Sequence, residues 1–143
     1  MKRERKWRAN EGFTLIEIMI VLAIVGMLFS FVGVNVMKRY SQAKVDSAKI
    51  QIAAYEQALQ AYYLDNNMYP HTSQGLQALI TKPTVGRIPK NYADGGYFNK
   101  KALVDDPFGT PYRYECEDYQ NYVIASNGPD GAPETEDDIL SEE

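Results

Sequence analysis

Glu17 is the residue with the most to explain. It is the only charge in the 25 residues from Phe13 to Met37, FTLIEIMIVLAIVGMLFSFVGVNVM, and it stands at the fifth position of that apolar run. A carboxylate in a segment long enough to span a bilayer costs roughly 2.5–3.5 kcal/mol on insertion scales, so it points to a partner and a function. A second group of acids lies at the far end of the chain. Within Ser126–Ile139, SNGPDGAPETEDDI, Asp130 precedes Asp137 and Asp138 by seven and eight residues, with Gly and Pro available to fold the loop back. Carboxylates and backbone carbonyls on a turn-rich loop suit calcium, which takes about six to eight oxygens in irregular geometry, better than zinc or magnesium. The order is not that of an EF-hand, because acids do not alternate ahead of the glycine and no Glu closes the loop. From the residues alone, a solvated acidic surface is the commoner outcome for such a loop.

Other chemistries find little support. Cys116 is the only cysteine, which rules out an intramolecular disulfide and a thiolate metal cage. Its neighbours Glu115 and Glu117 disfavour a thiolate, so it reads as an inert structural residue. His71, the only histidine, reads as a loop residue without a visible metal or nucleophile partner. No nucleophile and base can be paired from one His and one Cys, so the expectation is that the chain is not an enzyme. The 15 basic and 19 acidic residues give a net charge of −4, and Gly128 to Glu143 holds seven acids and no base. Nucleic-acid binders need clustered Lys and Arg to replace counterions on phosphate, so no nucleic-acid partner is expected.

The elements that position these residues follow from charge and periodicity. Lys2, Arg3, Arg5, Lys6 and Arg8 precede the apolar run and only Lys38 and Arg39 follow it closely, which predicts a cytoplasmic N-terminus and an outward-facing remainder. As a helix, Phe13 to Met37 would be about 37 Å long. That suffices to cross a hydrocarbon layer of ~30 Å. Beyond it, Val45, Ala48, Ile52, Tyr55, Leu59 and Tyr62 recur at spacings of 3, 4, 3, 4 and 3 and draw one apolar stripe. The spacing predicts one continuous helix from Phe13 to about Asp65, roughly 53 residues and ~80 Å. Its second half would be covered by a small domain rather than by a coiled-coil partner, because the stripe carries Ala and Tyr where Leu and Ile would be expected. In that domain a short helix is expected at Gln74–Ile80, capped by Thr72 or Ser73 and stopped before Pro83. A short strand is expected near Tyr97-Phe98 or Ala102–Val104, and a turn at Asp106–Pro111. Tyr112–Cys116 and Tyr119–Ala125 should form an antiparallel hairpin around Glu117-Asp118. The fold class is α+β, a long N-terminal helix, membrane-spanning in its first half, packed against a small antiparallel sheet.

An ordinary secretory signal has its small-residue cleavage site after the apolar part. Here the small residue, Gly12, comes before it, and Gly12 followed by Phe-Thr-Leu-Ile-Glu resembles the type IV prepilin signature. The constellation Tyr69-Pro70, Gln74-Gly75-Leu76 with Leu79, Asp106-Pro107-Phe108-Gly109 with Pro111-Tyr112, and Ser126–Gly131 ahead of Asp137-Asp138-Ile139 is similar to the major-pseudopilin family of type II secretion. Phe108 stands where tryptophan is common, and the tail after Ile139 is short. The resemblance implies a pilin-like fold divided into a leader at 1–12, a transmembrane and assembly helix at 13–37, an amphipathic helix at 38–66 and a periplasmic domain at 67–143. It implies cleavage between Gly12 and Phe13 by a prepilin peptidase, N-methylation of Phe13, and pairing of Glu17 with the Phe13 amine of an adjacent copy. It also implies calcium in the loop 126–139, with side-chain ligands from Asp130, Asp137 and Asp138 and a backbone oxygen of Asn127. The implied protein is a single-pass inner-membrane subunit of a helical homo-oligomeric pseudopilus. Its further partners would be minor pseudopilins, an inner-membrane assembly platform and a secretion ATPase. A type IV pilin, a competence pseudopilin and a membrane-tethered periplasmic binding module remain alternatives.

Overall fold

The computed structural model describes residues 12–99 and 102–141, and the side chains of 30–35 lie outside that description. The basic leader therefore falls outside the described residues, apart from Gly12. No proline interrupts Leu15–Asn66, and this stretch forms a single helix, α1, of 52 residues. It stops where Asn67 turns left-handed, with φ 54°, and its N–H closes the last turn on the Tyr63 carbonyl at 2.7 Å. The Asn66 side-chain amide donates to the Tyr62 carbonyl at 3.1 Å, satisfying another terminal acceptor.

The chain divides into two compact units, Met1–Arg39 and Tyr40–Glu143. In the first, every described large apolar side chain from Phe13 to Phe29 is exposed. Among the described residues no helix is long and apolar enough to cross a membrane. The span expected over 13–37 includes residues 30–35, whose side chains lie outside the description.

In the second unit the stripe of α1 is the floor of the core. Ala48, Ile52, Tyr55, Leu59 and Tyr62 are buried, and Val45 packs against the same cluster. Fully burying an apolar side chain of this size contributes about 1.5–3 kcal/mol, which is why the spacing fixes the face. Three short strands, β1 (Arg113–Glu115), β2 (Val123–Ser126) and β3 (Ile139–Leu140), form an antiparallel sheet in the order β1-β2-β3. Arg113 lies opposite Ala125 across β1 and β2, and Ser126 opposite Ile139 across β2 and β3. Tyr114, Ile124 and Ile139 point into the core, where Tyr55 stacks on Phe98 and meets Tyr112 edge-on.

Four local expectations change. The helix at 74–80 is only a 3-10 turn, Leu76–Leu79, and among the described residues no side chain caps it. Thr72 is drawn away instead: its N–H donates to the Cys116 carbonyl at 2.9 Å, and its hydroxyl accepts the Cys116 N–H at 2.8 Å. Tyr97-Phe98 and Ala102–Val104 are not strands, and the N–H groups of Tyr97 and Phe98 both donate to the Leu79 carbonyl. The second hairpin strand starts at Val123 rather than Tyr119, because the Asp118 carboxylate gathers the N–H groups of Gln120 and Asn121 into a wider turn. A third strand, β3, forms from Ile139, read as the end of the acidic loop, and Leu140 after it.

Candidate functional site

At the start of α1, Thr14 and Glu17 are spaced as a helix cap requires. The Thr14 hydroxyl accepts the Glu17 N–H at 3.2 Å, satisfying one of the donors that a helix start leaves free. The pattern Thr14-x-x-Glu17 is the sequence form of a capping box, a signal that the apolar run obscured. Glu17 is also the acid of the first turn, where the helix dipole favours negative charge. Its carboxylate makes no hydrogen bond or ion pair among the described residues, and Phe13 beside it is 79% exposed.

The acidic loop folds back between β2 and β3. Gly128 makes the fold tight: its φ is 63°, and a Cβ there would overlap the Asp137 carbonyl oxygen. The Asp137 carboxylate accepts the Asp130 N–H at 3.2 Å, and the Thr135 hydroxyl lies 2.7 Å from Asp137 Oδ1 and 3.4 Å from both Asp130 Oδ1 and Asp138 Oδ1. The three predicted acids therefore converge on one hydroxyl. A hydroxyl has a single proton to give, so it can satisfy only one of them at a time. The hydrogen bond from Thr135, with that from the Asp130 N–H, outweighs the slight desolvation and holds the Asp137 carboxyl below the ordinary aspartate value. Asn127 lies at the base of the loop with its Oδ1 buried and, among the described residues, without a hydrogen-bond partner.

Protein groups already occupy part of this cluster. Arg113 on β1 reaches Asp138 Oδ2 at 2.7 Å, and the Glu134 N–H reaches the same oxygen at 2.9 Å. Among the described residues, no three His, Cys, Asp or Glu side chains stand in an arrangement ready to hold a metal ion. The donor set is nonetheless entirely oxygen, with one buried acceptor unpaired and more carboxylate oxygens than protons. A hard cation suits that chemistry, and a soft or nitrogen-seeking one does not.

Sequence reasoning missed the buttress beneath the loop. Asp106 is 5% exposed. It accepts the Phe108 N–H at 3.0 Å, the Thr110 N–H and hydroxyl at 2.8 Å each, and the Ser126 hydroxyl. Ser126 Oγ in turn accepts the Gly128 N–H at 3.3 Å, so one buried carboxylate ties the 106–111 turn to the root of the acidic loop. Burial works against the charged form of Asp106, but the hydrogen bonds from Ser126, Thr110 and Phe108 prevail and hold its carboxyl below the ordinary value. Asp-Pro at a turn was visible in the sequence, whereas a partner twenty residues away was not. Cys116 is 2% exposed, and burial raises its thiol above the ordinary value, as suits an unreactive core residue.

Known proteins resemble this chain over most of its length. The family described as "Type II secretion system (T2SS), protein G" matches residues 35–142, and the "Prokaryotic N-terminal methylation motif" matches residues 7–33. A type II secretion system core protein G of Pectobacterium carotovorum subsp. carotovorum is 48% identical over 131 residues, 91% of this chain and 83% of that protein. One from Aeromonas hydrophila is 45% identical over 133 residues, 92% of each chain. The crystal structure of the major pseudopilin from the type 2 secretion system of enterohaemorrhagic Escherichia coli superposes with a TM-score of 0.65 at 43% identity, covering 73% of this chain and 87% of that one.

Proposed function

The chain belongs to the protein G family of the type II secretion system, and from that premise we propose that it is the major pseudopilin, a structural subunit of a periplasmic filament that drives protein export. The observation that carries this reading is the junction of two matches. An N-terminal methylation motif over 7–33 runs into a protein G domain over 35–142, on one uninterrupted helix. Exposed apolar side chains from Phe13 to Phe29 supply the surface by which α1 anchors in the inner membrane and then packs among copies in a helical homo-oligomer. The leader is cytoplasmic and the unit from Tyr40 onward is periplasmic. A prepilin peptidase cuts between Gly12 and Phe13, Phe13 is N-methylated, and its amine meets Glu17 of a neighbouring copy. Two charges desolvated together attract strongly, and removing one strands the other. Minor pseudopilins, the membrane platform and the secretion ATPase are the remaining partners, and no step of this role needs a catalytic residue.

Intact-mass and N-terminal analysis of the membrane-derived protein tests the processing. The expected chain begins at methylated Phe13, and an uncut Met1 would undo the reading. Glu17→Leu should leave the chain in the membrane but abolish its assembly into filaments.

Calcium is the second part of the proposal. Asp130, Asp137 and Asp138, with oxygen from Asn127, are the residues that would hold it, and the ion would supply the positive charge that one Thr135 proton cannot. Binding to the folded state alone would stabilise the domain by mass action. Chelation should therefore lower the melting temperature, and Asp137→Ala should remove the calcium response. No shift on adding calcium to the wild type sinks this part.

A further inference from the structure

Two surfaces of the unit Tyr40–Glu143 are uncovered and opposite in charge. The first is the loop from Thr81 to Lys90, TKPTVGRIPK, in a stretch with no acid between Asp65 and Asp94. It is held from beneath by a buried amide. Gln74 donates Nε2 to the carbonyls of Val85 at 2.6 Å and Arg87 at 3.1 Å, while its Oε1 accepts the His71 N–H at 2.9 Å. Pro89 is buried, yet Val85 and Ile88 stand 55% and 51% exposed on either side of Arg87. Among the described residues, Lys82, Arg87 and Lys90 have no ion-pair partner. A fixed loop that presents apolar side chains among cations has the character of one half of an interface.

The second surface is a groove of about 670 Å³ between α1 and the end of the acidic loop. Its apolar wall is made by Val45, Ile50, Ile52, Ala53, Ile139 and Leu140, of which Ile50 and Leu140 are 72% and 55% exposed. Glu136 stands on its rim beside Asp137 and Asp138, against a single cation, Lys49. The two aspartates are engaged by Thr135 and Arg113, whereas Glu136 has no hydrogen bond or ion pair among the described residues.

We propose that the loop Lys82–Lys90 of one copy docks in this groove on the next, with Val85 and Ile88 against Ile50 and Leu140 and Arg87 facing Glu136. The occupant is a second copy because the two halves lie on one chain, share no residue, and match in charge and apolar character. A contact between two different patches is heterologous, and it repeats without end unless its rotation closes a ring. That is the association a filament needs, and in this respect the inference rests on the proposed pseudopilus.

The test uses full chains in cells that assemble them. One copy carries Ile88→Cys and a co-produced copy carries Leu140→Cys; Cys116 does not interfere because it is buried. Oxidation should link the two variants to each other and leave either variant alone unlinked, and a chain with both substitutions should give a ladder. Arg87→Glu sets like charges face to face and should cut the cross-link by about tenfold or more. Combining it with Glu136→Arg should restore the link. Near-UV circular dichroism of each variant confirms that the fold is intact. Filaments that form without the 88-to-140 link, or a swap that fails to restore it, overturn the docking inference alone. Chains that never assemble overturn the filament reading and the docking inference with it.

Discussion

Gly128→Ala offers the sharpest test of the loop geometry, because Gly131→Ala is its internal control. Both glycines are left-handed, at φ 63° and 69°, so each alanine costs about 1–2 kcal/mol from the conformation alone. They differ in what the new Cβ meets. At Gly131 the only neighbour within 4 Å among the described residues is Thr110 Cγ2 at 3.6 Å, an ordinary contact. At Gly128 the Cβ overlaps the backbone carbonyl of Asp137 and comes within 3.2 Å of its Oδ2, so the return strand of the loop must move. Forcing such a shift adds about 1–3 kcal/mol. The expected losses are therefore ~1–2 kcal/mol for Gly131→Ala and ~2–5 kcal/mol for Gly128→Ala. For a folding unit of about a hundred residues each kcal/mol moves the midpoint by roughly 4–8 °C, so the two melts should stand at least ~4 °C apart. Thermal unfolding followed by the near-UV signal of the tyrosines isolates the packed unit from the helix that precedes it. Equal losses would refute the close approach of Gly128 to Asp137.

Two further perturbations probe the core. Asp106 has its carboxyl held below the ordinary value by hydrogen bonds that prevail over burial, so its contribution is complete above the unfolded aspartate value of about 4 and disappears as the pH falls through the lower folded value. The melting-temperature gap between wild type and Asp106→Asn should shrink on acidification from pH 7 towards 2, and a gap independent of pH would refute the charged buttress. The Tyr114 hydroxyl donates to the buried Pro70 carbonyl at 2.7 Å, so Tyr114→Phe leaves that acceptor unpaired at a cost of about 1–3 kcal/mol. Urea titration should show a lower midpoint with an unchanged slope, and an unmoved midpoint would contradict it.

What could be read in advance was whatever a short-range period decides. Six residues at helical spacing fixed the buried face of α1, and all but half-buried Val45 are fully enclosed. The stop was equally local, since Asn tolerates the left-handed turn that Asn67 adopts. The two-residue strand β3 was not legible, because it is too short to show alternation and exists only by pairing with Ala125 and Ser126. Thr72 was misjudged as a cap for a similar reason: its local signal was real, but Cys116, forty-four residues on, donates its N–H to the Thr72 hydroxyl and draws that side chain away. In the acidic loop the three aspartates were legible from composition. Thr135 at their meeting point, Arg113 across the sheet and Asp106 beneath Ser126 were not, because each joins the site through tertiary contact rather than sequence proximity.

The energetics separate what α1 does from what Glu17 does. Thirteen large apolar side chains from Phe13 to Phe29 are exposed, each at 39% or more. Covering them would contribute roughly 20–40 kcal/mol in all, as an upper bound, at about 1.5–3 kcal/mol per side chain. The penalty for carrying one carboxylate into the same surroundings is about 2.5–3.5 kcal/mol, near a tenth of that sum. Glu17 is therefore too weak to decide whether the segment enters an apolar environment. Side-chain packing between apolar helices, by contrast, distinguishes poorly between one register and the next, since a leucine is as content beside one methyl as another. A single charge that must find a single opposite charge does distinguish them. On the proposed reading the apolar run provides the anchor, and the one residue that breaks it sets where the next copy stops.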